Sequence, residues 1–393
     1  MQPLKGITVI SLEHAIAAPF ATRQLADLGA RVIKIERPLV GDFARQYDVR
    51  AKGLSSHFVW TNRSKESLTL DLKDPEGQKI LHQLIHEHAD VLVQNLAPGA
   101  AQRLGLSFED LSKTKPQIIV CDISGYGSDG PYAQKKAYDL LIQSEAGFLS
   151  TTGTEENVAK AGISIADIAA GMYAYTNILA ALMHRDQTGQ GQRIDLSMLE
   201  ALSEWMSYPL YYSMDGASPP PRAGASHSSI YPYGPFEAGD GKVVMLGLQN
   251  EREWVVFCEK VLQNAPLAKD VRFDSNAKRN EHRALLRTMI LKAFEVLSAS
   301  EVVARLEGAG IANAQVNTMA DLWAHEQLKA RGRWRRVKTS VGEMPALLPP
   351  GSFAQQQPSM QEVPSLGQHT DAILSALGCS SAQIESLRLR HVI

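Results

Sequence analysis

Residues 7–36 have the sequence ITVISLEHAIAAPFATRQLADLGARVIKIE, which contains a strand, a helix and a second strand. The β-branched residues of 7–12 predict the first strand, and residues 31–36 predict the second. Between them, residues 19–28 predict a helix, because proline is well tolerated in the first turn. Two strands joined through a helix run parallel, so this segment predicts a parallel sheet with helical cover.

The same pattern continues along the first half of the chain. Residues 67–70, 90–95 and 117–123 predict further strands, and residues 74–88 predict a helix. Repeated units of this kind form an α/β domain with a Rossmann-like parallel sheet and helices on both faces. Binding of NAD is not expected, because the turn 13–18, EHAIAA, lacks the glycines that hold a pyrophosphate.

The second half of the chain predicts a smaller domain. A long helix is expected to about Arg185 and another over 198–212, and the proline run 218–222 then ends the helical pattern. A predicted hairpin at 233–246 and three further helices indicate a small α+β domain. The predicted boundaries are a large domain starting with 1–197, a linker at 198–224, a small domain at 225–325 and a return segment at 326–393.

Composition limits the classes of function. The 393 residues include 40 Lys plus Arg and 42 Asp plus Glu, so the net charge of -2 gives no indication of nucleic-acid binding. The three cysteines lie far apart without metal-binding spacing. No signal peptide and no apolar window long enough to span a membrane are recognised, so we expect a cytoplasmic location and no membrane partner.

Residues 123–147, ISGYGSDGPYAQKKAYDLLIQSEAG, are the candidate site. A glycine-rich loop follows a predicted strand and precedes a helix expected to begin near Ala137, with Asp139 in its first turn. Glycines let backbone amides approach a ligand, and the helix dipole favours a carboxylate at this position. Taken alone, an aspartate in this position is far more often an ordinary first-turn acid than a reactive group.

Several sequence blocks, in one order, resemble the class III CoA-transferases of the CaiB/BaiF type. This family includes formyl-CoA, carnitine and mesaconyl-CoA transferases and is related to alpha-methylacyl-CoA racemase. The blocks are LADLGARVIKIERP (25–38), NRSKESLTLDLK (62–73), ADVLVQNLAPG (89–99), the stretch from Gly125 through Asp139 and Gln143 to Asp167, QTGQGQ (187–192) and PSLGQHT (364–370).

The resemblance implies both an architecture and a mechanism. It implies that the C-terminal segment returns to the large domain and that two subunits interlock as a homodimer. It also implies that Asp139 attacks an acyl-CoA thioester, giving a mixed anhydride and then an aspartyl-CoA thioester. Aspartate suits this role because its reference pKa of about 3.9 leaves it ionised without a general base. CoA is then a substrate, and no permanent cofactor or metal is implied.

The resemblance also implies contacts to CoA. Arg37, Lys73 and Arg103 match basic groups for the phosphates, although each alone is typical of a surface cation. The remaining predicted CoA-binding residues lie near strand ends or beside the predicted nucleophile: His14, Ala15, Leu70, Asn95, Leu96 and Tyr138.

Departures from formyl-CoA transferase affect the expected substrate. Ser124 replaces a lysine of that enzyme, and residues 224–235 hold only isolated glycines where it has a glycine run. Oxalate specificity is therefore not expected. His227 in this loop could contact a larger acyl group, as in relatives acting on C4 and C5 dicarboxylates such as succinate, or could simply be solvated.

Three alternative functions stay open. The first is intramolecular CoA transfer within one dicarboxylyl-CoA, such as mesaconyl-CoA. The second is racemisation of alpha-methylacyl-CoA, for which the resemblance implies a histidine just before the aspartate and a second aspartate downstream, which Asp167 matches. This alternative is less favoured because Tyr138 stands in place of the histidine, and Asp167 is then expected to cap a helix. The third is acyl-CoA binding without turnover.

Overall fold

A computed structural model describes residues 2–351 and 353–393, and the chain divides into two compact units. The first contains the residues up to Gly147, Ala161–Ser207 and Leu328–Ile393; the second contains Phe148–Lys160 and Tyr208–Gln327. The predicted linker thus starts inside the first unit. The return of the C-terminal segment to the large unit is confirmed.

The first unit is built on six parallel strands in the order β3-β2-β1-β4-β5-β6. Their bounds are β1 Thr8–Leu12, β2 Arg31–Glu36, β3 Lys65–Thr69, β4 Val91–Gln94, β5 Ile119–Ser124 and β6 Arg193–Ser197. The chain leaves β1 towards β2 on one side and later returns to β4 on the other. The carboxyl ends of β1 and β4 therefore flank a topological switch point, where open α/β sheets bind ligands. The predicted α/β class is confirmed.

The helices of both units are numbered in chain order. They are α1 Ala17–Asp27, α2 Ser56–Asn62, α3 Pro75–His88, α4 Ala100–Arg103, α5 Phe108–Leu111, α6 Asp139–Glu145, α7 Phe148–Thr151, α8 Ile165–Thr188, α9 Met198–Trp205, α10 Ser207–Tyr212, α11 Glu251–Val256, α12 Asn276–Glu281, α13 Arg283–Phe294, α14 Ala299–Ala309, α15 Met319–Ala324, α16 Glu326–Ala330, α17 Thr370–Ala376 and α18 Ser381–Leu389. The single helix expected over 198–212 is two helices, separated at Met206.

The two faces of the sheet are covered by different parts of the chain. On one face, α3 and the C-terminal helices share a hydrophobic core that includes Leu81, Leu84, Leu374 and Leu387. The helices α1 and α8 pack against each other, and α8 also contacts β5 and β6. Their close approach depends on Gly171, where an added Cβ would lie 2.7 Å from the Ala17 carbonyl oxygen.

Helix α8 corrects one expectation. It has 24 residues and, by length and composition alone, could cross a membrane, although no such window was expected from the sequence. Within the first unit, however, it packs against α1, α9 and the sheet, as a core helix of an α/β unit does. Its apolar composition therefore has an explanation in packing.

Smaller antiparallel sheets complete the fold. In the second unit, β7 Tyr233–Glu237, β8 Val243–Gly247 and β9 Ala312–Gln315 pack with helices around Trp254, Phe257 and Phe294. The predicted hairpin and α+β character are confirmed. In the first unit, β10 Trp334–Thr339 pairs with β11 Gly342–Leu347 in a tail where no strands were expected. The sequence did not indicate β10 because Arg335, Arg336 and Lys338 are exposed and Val337 is the buried apolar residue of the strand, so the alternation typical of a strand is missing.

Candidate active site

A cleft of about 1080 Å³ lies in the first unit, beside the carboxyl ends of the parallel strands. Its lining includes seven of the ten predicted site residues, from segments far apart in the sequence: His14, Ala15, Arg37, Asn95, Leu96, Tyr138 and Asp139. The Asn95 side chain links two of these segments, because its Oδ1 accepts from the His14 N–H and its Nδ2 donates to the His14 carbonyl. The ends of β1 and β4 are thereby held together at the switch point.

Three predicted residues lie outside the lining of this cleft. The Leu70 side chain is buried in the hydrophobic core that contains α3 and α17, so it offers no surface to a ligand. Lys73 is exposed in the turn before α3, and Arg103 is exposed at the end of α4. The contacts of Lys73 and Arg103 with CoA stay predictions.

A buried ionic cluster positions the loop after β1. The Asp42 Oδ1 accepts from the Ala15 N–H at 3.2 Å, and its Oδ2 accepts from the Lys34 ammonium at 2.7 Å. Ala15 has a positive φ of 61°, a conformation that this hydrogen bond helps to hold. Burial opposes ionisation of Asp42, but the Lys34 charge and the hydrogen bonds that Asp42 accepts together outweigh it, so the pKa of Asp42 is lowered. Glu13 completes the cluster by accepting from Lys65 at 2.7 Å.

The Asp139 carboxylate is held by three donors from the protein. Its Oδ1 accepts from the backbone N–H groups of Ala166 at 2.8 Å and Asp167 at 3.3 Å, and its Oδ2 accepts from the Gln143 amide at 2.6 Å. Gln143 is buried, and its own Oε1 accepts from the Ala161 N–H at 2.9 Å. Asp139 therefore caps the N-terminus of α8, where the helix dipole favours a negative charge.

Asp167 was expected to be a helix cap, and that expectation is wrong. It lies in the first turn of α8, whose N-cap residue is Ser164, and the carboxylate that accepts from the first-turn amides belongs to Asp139. The Asp167 carboxyl instead lines the cleft and accepts from the Ala17 N–H. Burial, together with the Asp139 charge, raises the pKa of Asp167 to about 7.

Sequence reasoning connected these two carboxyl groups only in the racemase alternative and gave Asp167 no role in CoA transfer. The available signal was the position of Asp167 at the start of a long apolar helix inside one of the blocks that carry the family resemblance. Its proximity to Asp139 was not predictable, because 27 residues separate the two in sequence. Pairs of carboxyl groups whose environments give them different pKa values are a common feature of acid–base and nucleophilic sites.

Basic side chains line the same cleft, some of them paired with an acid and others not. Lys135 pairs with Glu145, and Arg193 pairs with Asp122 at 2.9 Å. Within residues 2–351 and 353–393, Arg37 and Lys136 make no ion pair. A free guanidinium and a free ammonium could hold the phosphates of CoA.

His227 belongs to the second unit, where backbone groups of its own loop bind one ring nitrogen of the imidazole. Its Nδ1 accepts from the backbone N–H groups of Ser229 and Ile230, both at 3.1 Å. Its ring stacks on Tyr233 with 5.3 Å between the centroids. These contacts order the loop 226–233. In the described part of the chain, no group of three or more His, Cys, Asp or Glu side chains is arranged to hold a metal ion.

Comparison with known proteins agrees with these features. The sequence profile of CoA-transferase family III matches residues 4–370. Succinyl-CoA:glutarate CoA-transferase of Homo sapiens is 33% identical over 378 residues, which cover 95% of this chain and 86% of that protein. Succinate–glutarate CoA-transferase of Agrobacterium fabrum is 32% identical over 386 residues, covering 95% and 96%.

The solved structures include a similar protein. The crystal structure of a CAIB/BAIF family protein from Brucella suis has a TM-score of 0.84 and 32% identity, and covers 95% of this chain and 99% of that one. The predicted resemblance is therefore confirmed over nearly the full length. The chain belongs to CoA-transferase family III.

Proposed function

We propose that this protein transfers CoA from succinyl-CoA, or another short dicarboxylyl-CoA, to a second dicarboxylic acid through a covalent aspartyl intermediate. Two relatives named for transfer between succinate and glutarate, each about a third identical, support the substrate class. The observation that carries the mechanism is the Asp139–Asp167 pair in the cleft. A carboxylate can hold an acyl group while the thiolate is exchanged, without water or redox chemistry.

The geometry favours Asp167 as the residue that carries the acyl group. A nucleophile needs a lone pair free to meet the thioester carbonyl, and the Asp139 oxygens already accept three hydrogen bonds from the protein. In the described residues, the Asp167 carboxyl accepts from the Ala17 N–H. Its pKa of about 7 makes the ionised form more basic, and about half of it is ionised at neutral pH. Asp139, the nucleophile implied by the resemblance, stays the alternative.

The transfer proceeds in four balanced steps. The aspartate oxygen attacks the donor thioester carbonyl, and the C–S bond breaks to release CoA thiolate and leave a mixed anhydride. The thiolate attacks the aspartyl carbonyl, releasing the donor acid and leaving an aspartyl-CoA thioester. The acceptor carboxylate attacks that thioester and expels the thiolate, which then attacks the acceptor acyl carbonyl and frees the aspartate. Backbone N–H groups near each carbonyl stabilise the developing oxyanions.

Trypsin separates the two candidate residues. Cleavage after Lys136, Lys160 and Arg185 places Asp139 in the peptide 137–160 and Asp167 in the peptide 161–185. The protein is mixed with succinyl-CoA, quenched in acid and digested, and the peptides are weighed by mass spectrometry. A CoA or succinyl adduct on 161–185 supports Asp167, whereas an adduct on 137–160 assigns the role to Asp139. Turnover without an adduct on either peptide, after rapid quenching, would contradict the covalent route.

An exchange assay separates the proposed function from its alternatives. The protein is given succinyl-CoA and isotopically labelled glutarate, mesaconate, malate and oxalate. Labelled acyl-CoA without net loss of thioester supports transfer between two acids. Movement of CoA within mesaconyl-CoA alone indicates intramolecular transfer, and loss of an alpha hydrogen from a chiral 2-methylacyl-CoA indicates racemisation. Acyl-CoA binding without any exchange indicates the non-catalytic alternative.

A further inference from the structure

His57 lies on the wall of the cleft, in the first turn of α2. Its Nδ1 is 3.4 Å from the Asp48 Oδ2. That carboxylate is itself fixed, because its Oδ1 accepts from the N–H groups of Arg50 at 2.8 Å and Ser56 at 3.0 Å. Its Oδ2 also accepts from the Ser56 hydroxyl at 2.7 Å. The imidazole is thus anchored through one nitrogen, and the opposite nitrogen, Nε2, is directed away from Asp48.

Tyr47 connects His57 with the carboxyl pair. The two rings meet edge to face with 5.5 Å between their centroids, and both line the cleft. Burial, followed by the charges of Asp42 and Asp167, raises the pKa of Tyr47 to about 12. Because these charges act over a short range, Tyr47 lies near Asp167 as well as against the His57 ring. One tyrosine side chain is therefore close to both the reacting carboxyl group and the imidazole.

We propose that His57, oriented by Asp48, binds the distal carboxylate of a dicarboxylic substrate while the other end of that substrate reacts at Asp167. This inference rests on the proposed function and names a site for the part of the substrate that does not react. An imidazolium can donate from Nε2 to a carboxylate, and Asp48 balances its positive charge. A dicarboxylate bound beside Tyr47 would have one end at His57 and the other at Asp167, which line the same cleft.

Two other basic residues of the cleft are already engaged with acidic partners, and Arg37 and Lys136 are the candidates for the CoA phosphates. Lys135 is engaged with Glu145 and lies over the Tyr132 ring, and Arg193 is engaged with Asp122. His57 is the basic group in the described chain that contacts Tyr47 through its ring. A monocarboxylic acceptor has no distal carboxylate and would gain nothing from His57.

The test compares glutarate with pentanoate, which has the same carbon chain length but one carboxyl group. His57→Gln keeps a polar side chain and removes the imidazole. We expect KM for glutarate to rise by about tenfold or more, as loss of a charge-assisted hydrogen bond implies, with kcat within about threefold of the native value. The kcat/KM for pentanoate should stay unchanged. His88→Gln is the matched control, because His88 lies at the end of α3 outside the cleft lining.

Two further variants keep the outcome decisive. Asp48→Asn releases the anchor of the ring and should raise KM for glutarate less than His57→Gln does. His57→Lys restores a positive charge and should recover part of the lost affinity, which a purely structural role would not. If native protein transfers CoA to no dicarboxylate, the proposed function itself fails. If native protein is active but His57→Gln leaves KM for glutarate unchanged, or weakens both acceptors equally, the His57 site is overturned.

Discussion

At the scale of single residues, two aspartates in one cleft differ because their surroundings differ. Asp139 accepts from three protein donors and stabilises the start of α8. Asp167 is desolvated beside that charge, so its pKa is raised to about 7. The same side-chain chemistry can therefore serve as a fixed cap in one position and as a nucleophile in the other.

We predict that Asp167→Asn lowers kcat by about a thousandfold or more, since it removes the group that we propose carries the acyl chain. Asp139→Asn retains an oxygen for the α8 amides but removes the neighbouring charge, so a smaller loss is expected. Acyl-CoA affinity, measured by calorimetry, should change little in Asp167→Asn. Equal inactivation by both substitutions, with an adduct on Asp139 in the native protein, would reverse the assignment.

The pH dependence follows from the same pair. Asp167 must be ionised to attack, so activity should fall as pH drops through about 7 and should rise to a plateau above it. In Asp139→Asn the repulsive charge is gone, which lowers the pKa of Asp167 and moves the acid limb to lower pH. Steady-state rates from pH 5 to 9 measure the acid limb of the native protein and that of Asp139→Asn. An acid limb that does not move in the variant would contradict the electrostatic coupling.

At the scale of elements, the contact between α1 and α8 holds the site together. Ala17, at the start of α1, contacts α8 through both of its backbone groups. Its N–H donates to Asp167, and its carbonyl lies beside Gly171. The glycine is needed for space, since a Cβ there would also come within 2.9 Å of the Phe20 ring. A shift of α8 away from α1 would therefore disturb the Asp167 carboxyl directly.

We predict that Gly171→Ala destabilises the fold by about 1–3 kcal/mol through overpacking and lowers kcat as well. Gly308→Ala in α14 is the matched control, because its Cβ would meet nothing within 4 Å. That control should be neutral or stabilising by up to about 1 kcal/mol, since alanine is the better helix former. Urea unfolding and the exchange assay give the two readouts. Equal effects at both glycines would rule out the close contact as the cause.

The ionic cluster under the loop after β1 has a comparable role. Lys34→Met leaves the buried carboxylate of Asp42 without its lysine partner, whereas Glu13 keeps its pair with Lys65. Breaking a buried pair costs about 3–5 kcal/mol. The control is Arg31→Met on the same strand, whose pair with Glu66 is exposed and contributes about 1 kcal/mol or less. Thermal unfolding compares the two. Similar losses in both variants would show that burial does not decide the cost.

At the scale of the whole molecule, the first unit is completed by the end of the chain. The helices α17 and α18 belong to the same hydrophobic cluster as α3 and the strands. Between β6 and these helices, the chain leaves the first unit after Ser207, forms most of the second unit and returns to the first unit at Leu328. Stability of the active-site sheet consequently depends on residues more than two hundred positions away.

We predict that Leu374→Ala, at a fully buried position in α17, destabilises the first unit by about 2–5 kcal/mol. Leu389→Ala in α18 should change stability by at most about 0.5 kcal/mol, because that side chain is 75% exposed. Calorimetric unfolding of both variants measures the difference. Comparable stability of the two would contradict a shared core.

The interlocked homodimer implied by the family resemblance stays a prediction. Helix α10 exposes large side chains, among them Tyr208, Leu210 and Tyr211, and apolar patches of this kind often mark interfaces. Sedimentation at micromolar protein concentration should give twice the mass of the chain. A single chain at that concentration would exclude a stable dimer, and charged substitutions in α10 would then leave the mass unchanged.

The strand–helix alternation of residues 7–124 was enough to predict the α/β class, because local periodicity and a buried parallel sheet impose the same pattern on the sequence. The sequence blocks that occur in the same order as in class III CoA-transferases likewise indicated the family. Leu70 shows the limit of predicting contacts from the family resemblance. It lies in a block that resembles the family, but its side chain faces the core.

The roles of Asp139 and Asp167 required the folded chain. Each is an acid in the first turn of a helix, so local sequence rules treat them alike. Packing of α6 beside the start of α8 gives Asp139 the amides of Ala166 and Asp167, and packing of α1 against α8 buries Asp167 beside Ala17. Hydrogen bonding and desolvation arise from neighbours distant in sequence, and they separate a capping carboxylate from one able to react.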